Sequence, residues 1–105
     1  MSISTRFSSD KKVYTISIEG DFEFSRLNEF RKAYTDEHNE NEIQSAKIVI
    51  DLDKTNTIDS SALGMMLNMQ KTLNKDDREI SIINSNDIVA KILHITNFEK
   101  KFNVE

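Results

Sequence analysis

An α/β domain with a mixed four- to five-stranded sheet is predicted from three observations. Apolar residues alternate near the N-terminus, a continuous apolar run lies at the centre, and several stretches repeat apolar residues at helical spacing. The order reads β-β-α-β-α-β-α-(α), and the polar side of the opening hairpin puts the helices mainly on one face. At 105 residues, residues 1–105 suit a single domain, since domains cluster around roughly 100–150 residues.

Ile3, Thr5 and Phe7 alternate with Ser2, Ser4 and Arg6, and Tyr14, Ile16 and Ile18 alternate with polar or smaller neighbours. These are two half-buried strands joined through Ser8–Lys11, which is turn chemistry. Gly20-Asp21 ends the second strand. Phe24, Leu27, Phe30 and Tyr34 then form one apolar face of a helix, with Ser25 as its N-cap. The polar stretch Thr35–Ser45 reads as a helix end and a solvated loop. Ala46–Leu52 suits a strand covered on both faces.

A polar connection, Asp53–Asp59, leads into a helix starting near Ser60. Ala62, Met66, Met69 and Leu73 are its core stripe, which Leu63 and Leu67 widen. Asn74–Arg78 turns the chain and Glu79–Ile83 is a short strand. Asn84, Ser85 and Asn86 start a further helix, whose apolar face is Ile88, Val89, Ile92 and Leu93. Thr96 is read as a new N-cap, followed by one helical turn and a fraying tail through Val104.

The composition removes several functional classes. Without cysteine, thiolate metal sites, disulfides and cysteine nucleophiles are excluded. Two glycines cannot build a phosphate-binding loop or a nucleophile elbow. Fourteen Lys+Arg against eighteen Asp+Glu give a net charge of −4, which weighs against nucleic acid or an anionic membrane as partner. No apolar stretch reaches a membrane span and no signal peptide opens the chain, so a cytoplasmic protein is expected. His38 and His94 share no metal-ligand spacing and read as structural or solvated. Asp51, Asp53 and Asp59 could hold magnesium, but a solvated loop with a helix cap is the simpler reading, and no metal is expected.

The conspicuous segment is Ile58-Asp59-Ser60-Ser61-Ala62-Leu63-Gly64. Asp59 or Ser60 is a natural N-cap. A hydroxyl at a helix N-terminus is also exposed, and the dipole tolerates a phosphate there. Ala62 and Gly64 are small enough for a partner's backbone to approach. The residues alone leave a cap and a modification site both open.

The segment Lys47–Leu73, KIVIDLDKTNTIDSSALGMMLNMQKTL, resembles the signature of the STAS domain family, the anti-sigma-factor antagonists. That family carries a hydrophobic strand, a short loop, then Asp-Ser-(Ser/Thr)-(Gly/Ala)-Leu-Gly opening a helix. Gly20-Asp21 and Ile92-Leu93-His94-Ile95-Thr96-Asn97-Phe98 resemble further family segments, so nearly the whole chain is covered. Ala62 and Asn97 stand where glycine is common, and Asn tolerates the left-handed conformation.

The resemblance implies a bacterial partner-switching phosphoprotein that is not itself an enzyme and needs no cofactor. A cognate serine kinase, itself anti-sigma-like, would phosphorylate Ser60, and a PP2C-type phosphatase would reverse it. The unmodified form would bind the kinase or a downstream regulatory target through Asp59, Ser60, Ser61, Ala62 and Gly64. Independently of the resemblance, Asp59 lies next to Ser60, and Asp51 and Asp53 cluster with it around the third strand and its loop. ATP and magnesium would belong to the kinase. The alternative is an accessory subunit that binds an ABC transporter ATPase without a phosphorylation cycle.

Overall fold

A computed structural model describes residues 2–35 and 40–105. The chain runs through β1 (Ile3–Phe7), β2 (Val13–Ile18), β3 (Gly20–Phe22), α1 (Leu27–Tyr34), α2 (Glu40–Ser45), β4 (Lys47–Asp51), β5 (Thr55–Ile58), α3 (Ser60–Thr72), β6 (Ile80–Ile83), α4 (Asp87–Ile95) and β7 (Asn103–Val104). Short 3₁₀ turns occupy Phe24–Arg26 and Phe98–Lys100.

Five strands form the main sheet in the order β1-β2-β4-β6-β7, with β1 antiparallel to β2 and the remaining pairs parallel. Its register explains the alternation in the sequence. Tyr14, Ile48 and Ile80 align across three strands, as do Ile16, Ile50 and Ile82, and all six are buried. The Tyr14 hydroxyl donates to the Ala33 carbonyl of α1, which fixes the side on which that helix packs. The other face carries Ser4, Arg6, Ser17 and Asp51 and stays largely polar. The mixed sheet with a polar face is the arrangement the sequence predicts.

The hairpin turn is closed by its own side chains. The Ser8 hydroxyl and the Lys12 amide both donate to the Asp10 carboxylate. These bonds, the Ser8 bond foremost, hold the carboxyl of Asp10 below its ordinary range.

Several local expectations are corrected. Asp53–Asp59 is not all loop, because Thr55–Ile58 is a strand that pairs in parallel with β3 to make a second, two-stranded sheet. Gly20-Asp21 accordingly opens β3 rather than ending β2. Ser25 caps no helix: its hydroxyl donates to Glu23 at 3.1 Å, and α1 begins at Leu27 with no side-chain cap. Phe24 is 66% exposed and lies outside the core.

Glu40–Ser45 is helical rather than loop, pinned by the buried Ile43. The largely buried ammonium of Lys75 donates to the Gln44 and Ala46 carbonyls at its C-terminus. His38 lies outside the described residues. Leu67 and Ile88 do not join the core stripes but are exposed. Thr96 closes α4 by donating to the Ile92 carbonyl, and Asn97, left-handed at φ 60°, starts the last turn. The tail does not fray but adds β7 to the sheet edge.

Met65, Met66 and Met69 of α3 are buried, Met66 completely. Met66→Ala should therefore cost about 2–5 kcal/mol, as large-to-small core changes do. Denaturant titration checks this, and a loss below about 1 kcal/mol would contradict the packing described.

Candidate functional site

The site is built where the small sheet delivers the chain to α3. Gly20 adopts φ 93°, which only glycine takes without strain, and its amide donates to the Lys54 carbonyl at 2.9 Å. The Thr55 hydroxyl donates to the Ile18 carbonyl at 2.6 Å, which locks the start of β5 to the end of β2. Thr55 and Ile58 are buried while Asn56 and Thr57 face water. At the other end of β5, the Asp59 amide donates to the Phe22 carbonyl at 3.3 Å.

Asp59 is the N-cap of α3, in extended conformation. Its Oδ1 accepts from the Ala62 amide at 2.9 Å, satisfying one of the donors that a helix start leaves free. Its Oδ2 accepts from the Phe24 amide at 3.4 Å. One carboxylate thus ties the helix start to the 3₁₀ turn ahead of α1. Of the two candidate caps in the sequence, the geometry selects Asp59, which leaves the Ser60 side chain without a capping role.

Ser60 is exposed on the first turn, and Ser61 is half-buried. Ser61 borders a groove of about 360 Å³ between α1 and α3, whose lining includes Phe24, Leu27, Arg31, Gly64 and Asn68. Gly64 is exposed, and a Cβ built there would meet open space. Ala62 is fully buried, so it faces the core and leaves the surface proposed from the sequence.

The aspartates do not gather as expected. Asp53 precedes β5 and Ser60 follows it, so the four-residue strand Thr55–Ile58 lies between them. Asp51 is instead engaged at the end of β4, accepting from the Asp53 amide and the Asn84 side chain. Among the described residues no group of three or more His, Asp or Glu could hold a metal ion. His94 lies at the exposed end of α4, with Nδ1 3.3 Å from Glu99. No helix among the described residues is long and apolar enough to cross a membrane. The feature that sequence reasoning missed is Phe24, whose exposure beside α3 has no periodicity signal.

The model of the STAS domain matches residues 5–105. The chain belongs to the STAS domain family. It is 36% identical to a STAS-domain containing protein of Pseudomonas aeruginosa, over 99% of both chains. It is 21% identical to the anti-sigma-B factor antagonist of Staphylococcus aureus, covering 99% of this chain and 94% of that protein. Among solved structures, a candidate anti-sigma factor antagonist of Thermotoga maritima superposes with a TM-score of 0.77 at 19% identity, over 97% of this STAS chain and 84% of that one. The Bacillus cell fate determinant SpoIIAA in its phosphorylated form gives a TM-score of 0.66 at 12% identity, over 99% and 91%. The fold is therefore that of the anti-sigma factor antagonists.

The double role of Asp59 can be tested. Asp59→Ala should cost about 1 kcal/mol through the lost cap, seen as a melting temperature lower by about 4 °C or more. Asp59→Asn keeps an accepting oxygen and should lose less. Equal losses in both variants would show that charge rather than capping geometry matters.

Proposed function

We propose that this STAS domain is a partner-switching regulator of the anti-sigma-factor-antagonist type, phosphorylated on Ser60. The observation that carries the reading is the position of Ser60, exposed on the first turn of α3 directly after a cap that is already made. A kinase can reach that hydroxyl without unfolding anything. Ser61, half-buried against the groove, is the poorer acceptor. A Bacillus relative by fold has been solved in a phosphorylated form, which supports the reading by analogy.

In this reading the chain binds and does no chemistry of its own. Unmodified, it presents Asp59, Ser60, Ser61 and Gly64 to a cognate serine kinase or a downstream target. A PP2C-type phosphatase resets it. Phosphorylation adds about −1.5 to −2 charges beside Asp59, at the edge of the contact surface. The helix N-terminus accommodates part of that charge, so the fold persists. The partner, facing an unpaired desolvated charge, is released.

Incubation with the cognate kinase and ATP should add one phosphate to the wild type and none to Ser60→Ala. Robust phosphate on Ser60→Ala would overturn the assignment. Ser60→Asp should keep its circular-dichroism melt yet bind the kinase at least about tenfold more weakly by calorimetry, equivalent to about 1.4 kcal/mol. Binding as tight as that of Ser60→Ala would refute electrostatic release.

A further inference from the structure

The groove between α1 and α3 is walled by two segments that run side by side in the same direction. The Phe24 amide donates to Asp59 at one end, and the Asn68 side chain donates to the Tyr34 hydroxyl at 3.4 Å at the other. Phe24, Leu27 and Arg31 edge one wall, and Ser61, Gly64 and Asn68 edge the other. Each set follows the spacing i, i+3, i+7, which makes one stripe of a helix. On α3 that stripe is about 10 Å long at roughly 1.5 Å per residue. The floor between the walls includes Phe30, Tyr34 and Met65, all buried.

Gly64 is the residue that the fold itself does not explain. It lies inside α3, where glycine is less favourable than any residue but proline. Its backbone is helical, so no left-handed turn calls for glycine. A Cβ there would meet nothing within 4 Å, so no neighbour in the chain needs the room either. Space kept open by a glycine above an apolar floor suits a ligand that approaches the helix backbone closely. The charge beside it is also unanswered. Among the described residues, Arg31 is the one charged group in the lining. It is exposed, and no described carboxylate lies within ion-pair distance of it.

We propose that this groove docks an amphipathic helix of the partner protein, with two apolar residues on Phe24 and Leu27 and a carboxylate on Arg31. The inference rests on the reading of the Ser60 face as the partner-binding surface. Both walls are largely helical, so their backbone groups are bonded internally. An extended peptide would find no main-chain partner there, whereas a helix satisfies its own backbone and needs only side-chain contacts. Apolar residues at i and i+3 followed by an acid at i+7 match the spacing of the walls. The acid supplies the planar, charged acceptor that the Arg31 guanidinium lacks within the chain. Asp59 fixes the polarity of the groove. An acidic residue at its end would meet like charge, so the apolar residues belong beside Ser61 and the carboxylate at the far end. Close approach at Gly64 lays the docked helix alongside Ser60, where a phosphate would meet it.

The test uses the whole chain and a synthetic probe. The probe is a stapled helix of roughly 15 residues with leucine at i and i+3 and glutamate at i+7, beside a control peptide with lysine in place of the glutamate. Isotope-labelled protein is titrated with each up to about 2 mM, which reaches weak affinities, and the amide shifts are followed by NMR. The wild type should bind the glutamate peptide about threefold or more tightly than the lysine peptide, with shifts centred on residues 24–31 and 61–68. Arg31→Glu should invert that preference. Gly64→Leu should weaken binding by about tenfold or more, while its melting temperature stays or rises because leucine is the better helix former. No binding of either peptide, equal binding of both, or unaltered binding by Gly64→Leu would overturn the proposal. So would self-association of the wild type that Gly64→Leu abolishes, since the occupant is then a second copy. Ser60→Ala should bind the peptide as the wild type does, which keeps the two readings apart. A phosphorylated Ser60 beside an inert groove removes only this proposal, and a binding groove in a chain whose Ser60 takes no phosphate removes only the phosphorylation.

Discussion

The carboxylate of Asp59 is the interaction on which the candidate site depends. One oxygen caps α3 through Ala62, and the other holds the Phe24 amide of the turn that precedes α1. These elements are distant in sequence and carry both walls of the groove beside Ser61. Neither bond is strong by itself, since a net hydrogen bond contributes about 1 kcal/mol and a charged acceptor somewhat more. Their value is geometric. They set where the first turn of α3 begins, and therefore which serine faces water and which faces the groove.

The small parallel sheet of β3 and β5 makes that placement possible. Without it, Asp53–Asp59 would be a flexible polar loop and Asp59 would have no fixed aim. The sheet is short, three residues against four, so backbone pairing alone could not hold it. Two buried side chains, Phe22 and Ile58, anchor its end in the core. The Thr55 hydroxyl and the Gly20 amide fasten its start. The strain-free positive φ of Gly20 lets the chain leave β2 and begin β3 almost at once. A second constraint acts on the same turn. Arg26, largely buried, donates to the Glu19 carbonyl and pairs with Glu29, whose other oxygen accepts from the Ile3 amide. The turn that carries Phe24 is thus held from α3 on one side and from the main sheet on the other.

How much of this was legible in the sequence depended on how much each segment buries. The main sheet was readable because Tyr14, Ile16, Ile18, Ile48 and Ile50 alternate or run together, and burial demands that pattern. The core of α3 was readable for the same reason through Met66, Met69 and Leu73. β5 was not, because Thr-Asn-Thr-Ile buries only its two ends and its composition is that of a loop. α2 was missed because it rests on the single buried residue Ile43. Ser25 and Thr96 misled as caps because serine and threonine also bond locally outside N-cap positions, here to Glu23 and to the Ile92 carbonyl. The segment Asp59–Gly64 stood out at once, yet its chemistry did not. Asp59 and Ser60 are both competent caps, and only the three-dimensional partners Ala62 and Phe24 separate them.

That separation bears on how a charge at Ser60 would be read. Were Ser60 the cap, a phosphate there would remove a bond from the helix and the signal would pass through the fold. With Asp59 as the cap, the helix start is satisfied before any modification. The first-turn amides of Ser60 and Ser61 have no acceptor within the helix, so a phosphate has local donors to lean on. Against this, Asp59 lies one residue away and repels the new charge. At an effective dielectric near 20, two unit charges about 6 Å apart differ by about 3 kcal/mol from the same pair at infinite distance, and less where water screens them. Attraction by the helix end, worth about 0.3–1 kcal/mol at an exposed site, offsets only part of that. Of the two bonds that Asp59 accepts, the one from the Phe24 amide is the longer, at 3.4 Å against 2.9 Å. Loss of that bond would still leave the turn held by Arg26, which donates to the Glu19 carbonyl and pairs with Glu29. In the proposed reading a modified Ser60 therefore acts on the docking surface through its charge, with the helix start already capped by Asp59 and at little expense to the stability of the domain.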